Sequence, residues 1–273
     1  MSKHSKVVAL ALVVAMLATA AVMAGCSSST TPASTTTTTK VALKTVETGK
    51  LIAGSDTAFP PFESMNGTVA EGFDVDIAAA IAKELGLKSE FKSYKFDTLI
   101  PTLKAGGKFD IIMSGMTINA DRKKEIDFSS PYIDSNQSIA VKKDSTIASD
   151  KDLAGKKIGV QSGTTGQQWA KENIPTAQLV PFDDTLSAFS ALQAGKVDAV
   201  VNDLPVSAAV VKDATRGLKI IQEIPTGEQY GIAISKSNPD LLKAVNDALA
   251  KTKSNGMYDT IYKKWFGVAP SSK

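Results

Sequence analysis

The chain has 273 residues, of which 43% are apolar and 22% are charged, and its formal net charge is +3. This balance is that of a globular protein with one large domain or two small ones. The basic residues are scattered, so they form no electrostatic footprint for nucleic acid. The only histidine, His4, and the only cysteine, Cys26, lie near the start of the chain. The remainder therefore holds no His-dependent or Cys-dependent nucleophile and no His/Cys zinc site. We expect neither a metal nor a cofactor, although an enzyme using carboxylates or lysine remains possible.

The first 26 residues have the pattern of an export signal. A basic start up to Lys6 precedes an apolar run, residues 7–24, that only Thr19 interrupts. This run is also long enough to be a transmembrane candidate. Small residues directly before Cys26 resemble the lipobox of bacterial lipoproteins, in which the cysteine is lipidated. We therefore predict a signal peptide over residues 1–25 and a lipid anchor on Cys26, with an uncleaved membrane anchor as the alternative.

A segment of low complexity follows the cysteine. Residues 27–40 read SSSTTPASTTTTTK, which offers almost no apolar surface to bury. Residues 26–49 are therefore predicted to be the lipidated cysteine and a flexible tether, which would hold a folded body above a membrane.

The first folded elements alternate between strand and helix. Residues 50–54 are predicted to be a strand ending at Ser55-Asp56, and the Pro60-Pro61 pair that follows rules out a helix there. Apolar side chains at helical spacing predict a helix over 77–85, with Gly86 beyond its end. A strand at 90–94 and a helix at 98–104 complete this part.

The end of the next strand carries a group of polar residues. The apolar run 109–113 stops at Ser114-Gly115, Thr117 offers a hydroxyl, and Asn119 is a suitable N-cap for a short helix that carries Arg122. Ligands of open α/β sheets lie beyond the carboxyl ends of strands, so Gly115, Thr117 and Arg122 could converge on one carboxylate. The alternative is that Arg122 only pairs with neighbouring acids of a solvated helix, namely Asp121, Glu125 or Asp127.

One pattern occurs twice along the chain. Residues 103–112 and 192–201 both read as a helix end, an Ala-Gly turn, Lys-x-Asp and a buried strand. The second of these strands ends at Asn202-Asp203, and a predicted strand at 157–160 ends at Gln161 before another helix. We interpret this repetition as two similar α/β lobes that each present polar groups from their strand ends.

The last part of the chain links and covers these lobes. Residues 138–141 and 230–234 are apolar and extended. Asn238 and Pro239 begin a helix that runs to about Ser254 and stops at Gly256. A final short helix ends in aromatic residues at 262–267, which we expect to pack in a core.

Several stretches together resemble a known family. They are GFDVDIAAAIAKELG (72–86), MTINADRKKEIDFSSPY (116–132), VQSGTTGQ (160–167), VDAVVND (197–203) and YKKWFG (262–267). In this order they are similar to the polar amino-acid-binding proteins of bacterial ABC importers, extracellular solute-binding protein family 3, over residues 50–267. The resemblance implies an α/β, two-lobed periplasmic-binding-protein-like (type II) fold with two hinge strands, near 138–142 and 230–234. Lobe 1 would be residues 50–138 plus 231–273, and lobe 2 would be residues 139–230.

The resemblance also implies a ligand site between the lobes. Arg122, Thr117 and Gly115, with Thr165 of the second lobe, would hold the ligand carboxylate, and Asp203 its ammonium. Phe59 and Phe96 would flank the ligand side chain, while Asp56 and Gln161 would meet its far end. The full set of expected ligand-binding residues is Asp56, Phe59, Phe96, Ser114, Gly115, Thr117, Arg122, Gln161, Thr165 and Asp203.

The residues alone leave plainer interpretations of this set open. Asp203 could be only a helix cap, and Asp56 could serve only the turn around it. Phe59 and Phe96 could be ordinary core residues.

The function implied is that of a lipid-anchored, exported substrate-binding protein. It would capture a polar L-amino acid, glutamine in preference and arginine or lysine next, and deliver it to the permease subunits of an ABC importer. We expect a monomer attached to the membrane through its lipid, with its body facing the extracellular side or the periplasm. The alternatives are an enzyme on the same scaffold, similar to the few dehydratases related to this family, and a sensor or adhesion protein that binds the same ligand without transport.

Overall fold

A computed structural model describes residues 43–270. The predicted signal peptide, Cys26 and the tether up to residue 42 lie outside the described residues. Among those that are described, no helix is both long and apolar enough to cross a membrane.

Strands and helices alternate through most of the chain. The strands are β1 (Lys50–Ser55), β2 (Ala58–Phe59), β3 (Glu63–Asn66), β4 (Val69–Glu71), β5 (Lys88–Ser93), β6 (Ile111–Ile112), β7 (Asp127–Phe128), β8 (Ile133–Lys142), β9 (Lys157–Gln161), β10 (Gln178–Phe182), β11 (Ala199–Asp203), β12 (Leu218–Tyr230) and β13 (Ala233–Ile234). The α-helices are α1 (Phe73–Leu85), α2 (Phe96–Ala105), α3 (Ala120–Glu125), α4 (Thr165–Asn173), α5 (Thr185–Gln193), α6 (Leu204–Val211), α7 (Pro239–Ser254) and α8 (Met257–Phe266). Short 3₁₀ helices cover Asp150–Leu153 and Ala214–Arg216.

These strands form two five-stranded sheets, one for each lobe. The first has the order β5-β1-β6-β13-β7, and β1 is parallel to both of its neighbours. The second has the order β10-β9-β11-β8-β12. A small antiparallel sheet, β2-β3-β4, stands apart from both. The α/β, two-lobed architecture expected from the sequence is confirmed.

Two stretches of chain connect the sheets. After β7 the chain leaves the first sheet and enters the second as β8, and after β12 it returns as β13. β8 and β12 run antiparallel to each other, with Ile133 opposite Tyr230. The first lobe therefore contains chain from both before and after the second lobe.

The two Lys-x-Asp turns make the same contacts in the two lobes. The Asp110 amide donates to the Ile52 carbonyl at 2.8 Å, and its carboxylate accepts from the Ile52 amide, also at 2.8 Å. Asp198 repeats this with both backbone groups of Lys157, again at 2.8 Å. Each aspartate thus anchors the beginning of its own strand to the neighbouring parallel strand, which explains the repetition in the sequence.

The helix ends follow from local sequence. Asn119 accepts a hydrogen bond from the Arg122 amide, and Asn238 accepts one from the Leu241 amide, so both are the N-caps that the sequence predicts. Gly86 ends α1 in the left-handed conformation. Phe96, which was expected just before α2, is its first residue.

The C-terminal aromatic residues pack in the main hydrophobic core. The Phe73 ring of α1 lies edge-on to the rings of Tyr258 and Tyr262 and 5.2 Å from the ring centre of Phe266. α7 and α8 thus cover α1 of the first lobe, and the expectation that these aromatic residues serve packing is confirmed.

Candidate functional site

A small cleft lies where the ends of several strands of both sheets meet. Its lining residues are Phe59, Phe96, Gly115, Thr117, Arg122, Gln161, Thr164, Thr165 and Asp203. All except Thr164 were expected from the sequence, and the remaining two expected residues, Asp56 and Ser114, lie directly behind this lining. The cavity measures about 10 Å³, which is room for about one water molecule. The cleft is therefore closed around its own side chains.

Arg122 is buried in this cleft instead of lying on a solvated helix face. It is only 8% exposed, and its Nη1 donates to the Thr117 carbonyl at 2.8 Å. Its Nη2 reaches across to the Gly163 carbonyl of the second lobe at 3.1 Å, and its guanidinium lies 5.3 Å from the centre of the Phe96 ring. Burial lowers the pKa of Arg122, while the nearby carboxylates of Asp203 and Glu228 act in the opposite direction.

The acidic neighbours that Arg122 could have paired with are bound to lysines. Asp121 pairs with Lys124, Glu125 with Lys104 and Asp127 with Lys236. The plainer interpretation of Arg122 as one member of a surface ion pair is therefore wrong.

Thr117 and Thr165 bring their hydroxyl groups to a single carboxylate oxygen. Glu228 Oε2 accepts from Thr117 Oγ1 at 3.1 Å and from Thr165 Oγ1 at 2.9 Å. Gln137 Nε2 donates to the same oxygen at 3.1 Å. These donors come from both lobes, so together they form a carboxylate-binding cluster across the cleft.

Asp203 is buried beside this cluster. It occupies the N-cap position of α6, but its side chain makes no capping bond. Instead Oδ1 accepts from Gln137 Nε2 at 2.6 Å, and Oδ2 accepts from the Tyr230 hydroxyl. Burial raises the pKa of Asp203 to about 7, with a further upward contribution from Glu228. Two carboxylates thus share one amide donor at the cleft, an arrangement that a cation placed between them would relieve.

Asp56 and Gln161 contact each other at the other end of the cleft. Gln161 Nε2 donates to Asp56 Oδ2 at 2.6 Å, and Gln161 Oε1 accepts from the Thr185 hydroxyl at 2.8 Å. Burial raises the pKa of Asp56 to about 6, although the bond from Gln161 opposes this. Asp56 therefore links the two lobes and does more than serve its own turn.

Two aromatic rings form apolar walls of the cleft. Phe59 is 6% exposed and Phe96 is 8% exposed. Gly115 has a φ of +52°, and a Cβ there would lie 2.7 Å from Phe59 Cε1, so the ring can approach only because this residue is glycine.

The backbone amide of Gly115 does not point toward an anion in the cleft. It donates to Asp74 Oδ2 at 2.9 Å, while the Ser114 hydroxyl donates to Glu63 Oε1 at 2.7 Å. The expectation that the Gly115 N–H joins Arg122 and Thr117 at one anion therefore differs from the structure. Both donors face away from the ligand side, toward two buried carboxyl groups below them.

Sequence reasoning missed three residues of the two connecting strands, namely Gln137 on β8 and Glu228 and Tyr230 on β12. Glu228 lies two residues before Tyr230 on β12, so the alternation of a strand places both side chains on one face. Tyr230 was not among the expected site residues, so this alternation points to Glu228 only once Tyr230 is known to bond Asp203. Gln137 faces Asp203 only through the pairing of β8 with β11, which one sequence does not specify.

Comparison with known proteins places this geometry in a family. The family model for bacterial extracellular solute-binding proteins, family 3, matches residues 51–268. An L-cystine-binding protein of Escherichia coli is 35% identical over 228 residues, covering 82% of this chain and 85% of that protein. The ABC transporter glutamine-binding protein of Bacillus subtilis is 37% identical over 239 residues, covering 85% of this chain and 86% of that protein.

Solved structures agree with this result. An ancestral arginine-binding protein bound to glutamine is 46% identical, with a TM-score of 0.78, and the match covers 81% of this chain and 100% of that one. The same kind of ancestral protein bound to arginine is also 46% identical, with a TM-score of 0.75, over 80% of this chain and 99% of that one. The chain belongs to the bacterial extracellular solute-binding proteins of family 3, as the sequence motifs indicated.

Proposed function

We propose that this protein captures a polar L-amino acid between its two lobes and delivers it to the permease of an ABC importer. The observation that carries the proposal is that one buried cation, Arg122, and one buried carboxyl group, Asp203, line the same closed cleft. An amino-acid zwitterion requires one fixed charge of each sign. Each relative named above is described as a binding protein for an amino acid. The one from Bacillus subtilis is also named as part of an ABC transporter.

The carboxylate of the ligand would lie beside Arg122. The guanidinium has five donors in a planar fork, and its bonds to the Thr117 and Gly163 carbonyls use two of them. The hydroxyls of Thr117 and Thr165 already hold one carboxylate, that of Glu228. The bonds to Glu228 therefore support the proposal that the donors around Arg122 suit a carboxylate.

The ammonium of the ligand would lie beside Asp203. Asp203 and Glu228 compete for one donor, Gln137 Nε2. A protonated amine offers three donors and a positive charge, so it satisfies both carboxylates better than a single amide does.

The ligand side chain would run between Phe59 and Phe96 toward Asp56 and Gln161. Asp56 accepts from an amide or from a guanidinium, and Gln161 can donate or accept. We therefore favour glutamine, with arginine or lysine next. The ancestral relative is described with glutamine and with arginine, which supports placing these two ligands first.

Access to the cleft requires the lobes to separate. A cavity of about 10 Å³ is far smaller than an amino acid, so the ligand enters an open form and the closed form gains contacts from both lobes. We propose that the predicted lobes, 50–138 plus 231–273 and 139–230, move about the segments that join the two sheets. X-ray scattering should show a smaller radius of gyration with saturating ligand, and identical profiles would contradict closure.

We further propose that the protein acts as a monomer on the outer side of the cell membrane. The lipid on Cys26 and the tether would attach it there, next to the permease. A sensor or adhesion protein would use the same cleft. Genes for a permease and an ATPase next to the gene for this protein would favour transport over either of these alternatives. An enzyme of the dehydratase type would need a carboxylate or lysine placed for proton transfer, and would convert the bound ligand into a product.

A thermal-shift screen against the twenty amino acids tests the proposal. A ligand at about 100 times its dissociation constant adds about 2.7 kcal/mol to the free energy of unfolding. We expect glutamine or a basic amino acid to raise the melting temperature, and no shift with Asp203→Asn. Product analysis after long incubation with the ligand that binds should show unchanged amino acid. No shift with any amino acid would contradict the proposal, and turnover would support the enzyme.

A further inference from the structure

Two fully buried carboxyl groups lie directly below the floor of the cleft. Glu63 is on β3 and Asp74 is on α1, and both are 0% exposed. Among the described residues, neither is paired with a lysine or arginine, and Glu63 Oε2 and Asp74 Oδ1 are buried without a hydrogen-bond partner. Two ionised carboxylates in contact without a counter-charge would be strongly unfavourable.

One oxygen of each carboxyl group already accepts hydrogen bonds from its neighbours. Glu63 Oε1 accepts from the Ser114 hydroxyl at 2.7 Å. Asp74 Oδ2 accepts from the Gly115 amide at 2.9 Å and from the Tyr132 hydroxyl at 2.8 Å. The other oxygen of each group, Glu63 Oε2 and Asp74 Oδ1, is therefore the one left for a bond between the two carboxyl groups.

We propose that Glu63 and Asp74 share one proton, with Glu63 Oε2–H donating to Asp74 Oδ1, and that this pair positions Ser114 and Gly115 for ligand binding. The part of this inference that concerns the ligand rests on the proposed function. The proton lies on Glu63 because Asp74 accepts two further hydrogen bonds, which favour its ionised form.

The electrostatics of the surroundings agree with this assignment. Burial, and then the charge of Asp74, raise the pKa of Glu63 well above its usual value, and burial raises the pKa of Asp74 to about 7. The other titratable groups that face the pair are Asp56 after β1, Tyr132 before β8 and Tyr258 on α8. None of these groups is positively charged, and the charges of Asp74 and Asp56 both favour retention of the proton on Glu63.

Glu63 and Asp74 matter for binding because they hold Ser114 and Gly115, which contact other residues of the candidate site. The Ser114 hydroxyl also accepts from the Asp56 amide at 3.0 Å. Gly115 carries the left-handed backbone turn against which the Phe59 ring packs. Glu63 and Asp74 therefore contact two residues of the candidate site, Ser114 and Gly115, and through them connect to Asp56 and Phe59. Because neither acid lines the cleft, they act as positioning residues.

The proton is tested first without any ligand. A carboxyl group with a raised pKa in the folded protein contributes stability that is complete below its unfolded pKa and is lost as the pH rises through its folded pKa. The urea midpoint of the wild type should therefore fall between pH 5 and pH 8.5. Glu63→Gln removes one such group, so its midpoint should fall less steeply. The control Glu71→Gln makes the same change on the exposed strand β4 and should run parallel to the wild type.

The positioning role is tested at pH 7 by calorimetry with glutamine and with arginine. The amide of Glu63→Gln can donate to Asp74 Oδ1 while its carbonyl accepts from Ser114, so affinity should stay within about threefold of the wild type. Glu63→Ala leaves both partners unsatisfied and should weaken binding about tenfold or more.

Two results would overturn the inference. One is a pH slope of Glu63→Gln equal to that of the wild type, which would mean that the pair holds no proton. The other is an affinity of folded Glu63→Gln as low as that of Glu63→Ala, which would mean that the ionised form is required. If the wild type bound neither amino acid, the two favoured ligands would be wrong, while the slope comparison would still decide the proton.

Discussion

Replacing Arg122 with lysine isolates the contribution of the guanidinium fork. Arg122 bonds one carbonyl in each lobe, at 2.8 Å to Thr117 and at 3.1 Å to Gly163, and it stacks against Phe96. Arg122→Lys keeps the positive charge, but a lysine ammonium cannot hold these carbonyls and a ligand carboxylate in one plane. The variant therefore tests geometry and not charge.

The expected loss of affinity follows from the number of bonds removed. A hydrogen bond to a charged group contributes about 1.5–3 kcal/mol, and the loss of one such bond to the ligand carboxylate corresponds to a dissociation constant about 10- to 150-fold higher. The assay is isothermal titration calorimetry with the amino acid that gives the largest thermal shift. Circular dichroism and the urea midpoint report whether the variant is folded.

The chain supplies a matched control for this substitution. Arg216 lies in the 3₁₀ helix of the second lobe, away from the cleft, and pairs with Asp213 at 3.6 Å. Arg216→Lys makes the same chemical change and should leave the affinity unaltered. If folded Arg122→Lys binds as tightly as Arg216→Lys, the reasoning that places the ligand carboxylate at Arg122 is refuted.

Three further predictions follow from single groups. The ammonium group of the ligand should bind the ionised form of Asp203, whose pKa burial raises to about 7. The affinity should therefore fall about tenfold from pH 8 to pH 6, where Asp203 is mostly protonated. Calorimetry at the two pH values measures this, and equal affinities would contradict it. Gly115→Ala should lower the urea midpoint more than Gly155→Ala. Both glycines have a positive φ, but of the two only Gly115 lacks room for a Cβ. Equal losses would mean that the close approach of the Phe59 ring does not matter for stability. Cys26→Ser should move the protein from the membrane fraction to the soluble exported fraction with unchanged ligand affinity, whereas retention in the membrane would indicate an uncleaved anchor.

Local signals in the sequence predicted most of the elements. The glycine after α1, the asparagine caps of α3 and α7 and the repeated Lys-x-Asp turns each act within a few residues, and each makes the contact that its position indicates. The family motifs then grouped distant strand ends into one site. Eight of the ten residues grouped in this way line the cleft, and the other two support it from behind.

The contacts between distant strands could not be predicted in the same way. Whether the Gly115 amide faces the cleft or Asp74 depends on where α1 places Asp74, which lies 41 residues earlier in the chain, and no local pattern encodes that. The meeting of Gln137 with Asp203 depends on the register of β8 against β11. The pairing of Glu63 with Asp74 requires a helix and a separate small sheet to meet, and neither acid is distinguishable from a surface residue in the sequence.

The central claim is that the cleft recognises both charged groups of an α-amino acid. Calorimetry of the wild type with the bound amino acid, its decarboxylated form and its deaminated form tests this most directly. Because a buried charge left without its partner is strongly unfavourable, we expect each analogue to bind at least about 100-fold more weakly than the amino acid. Binding of both analogues with the affinity of the amino acid would show that neither Arg122 nor Asp203 holds the ligand, and would contradict the account.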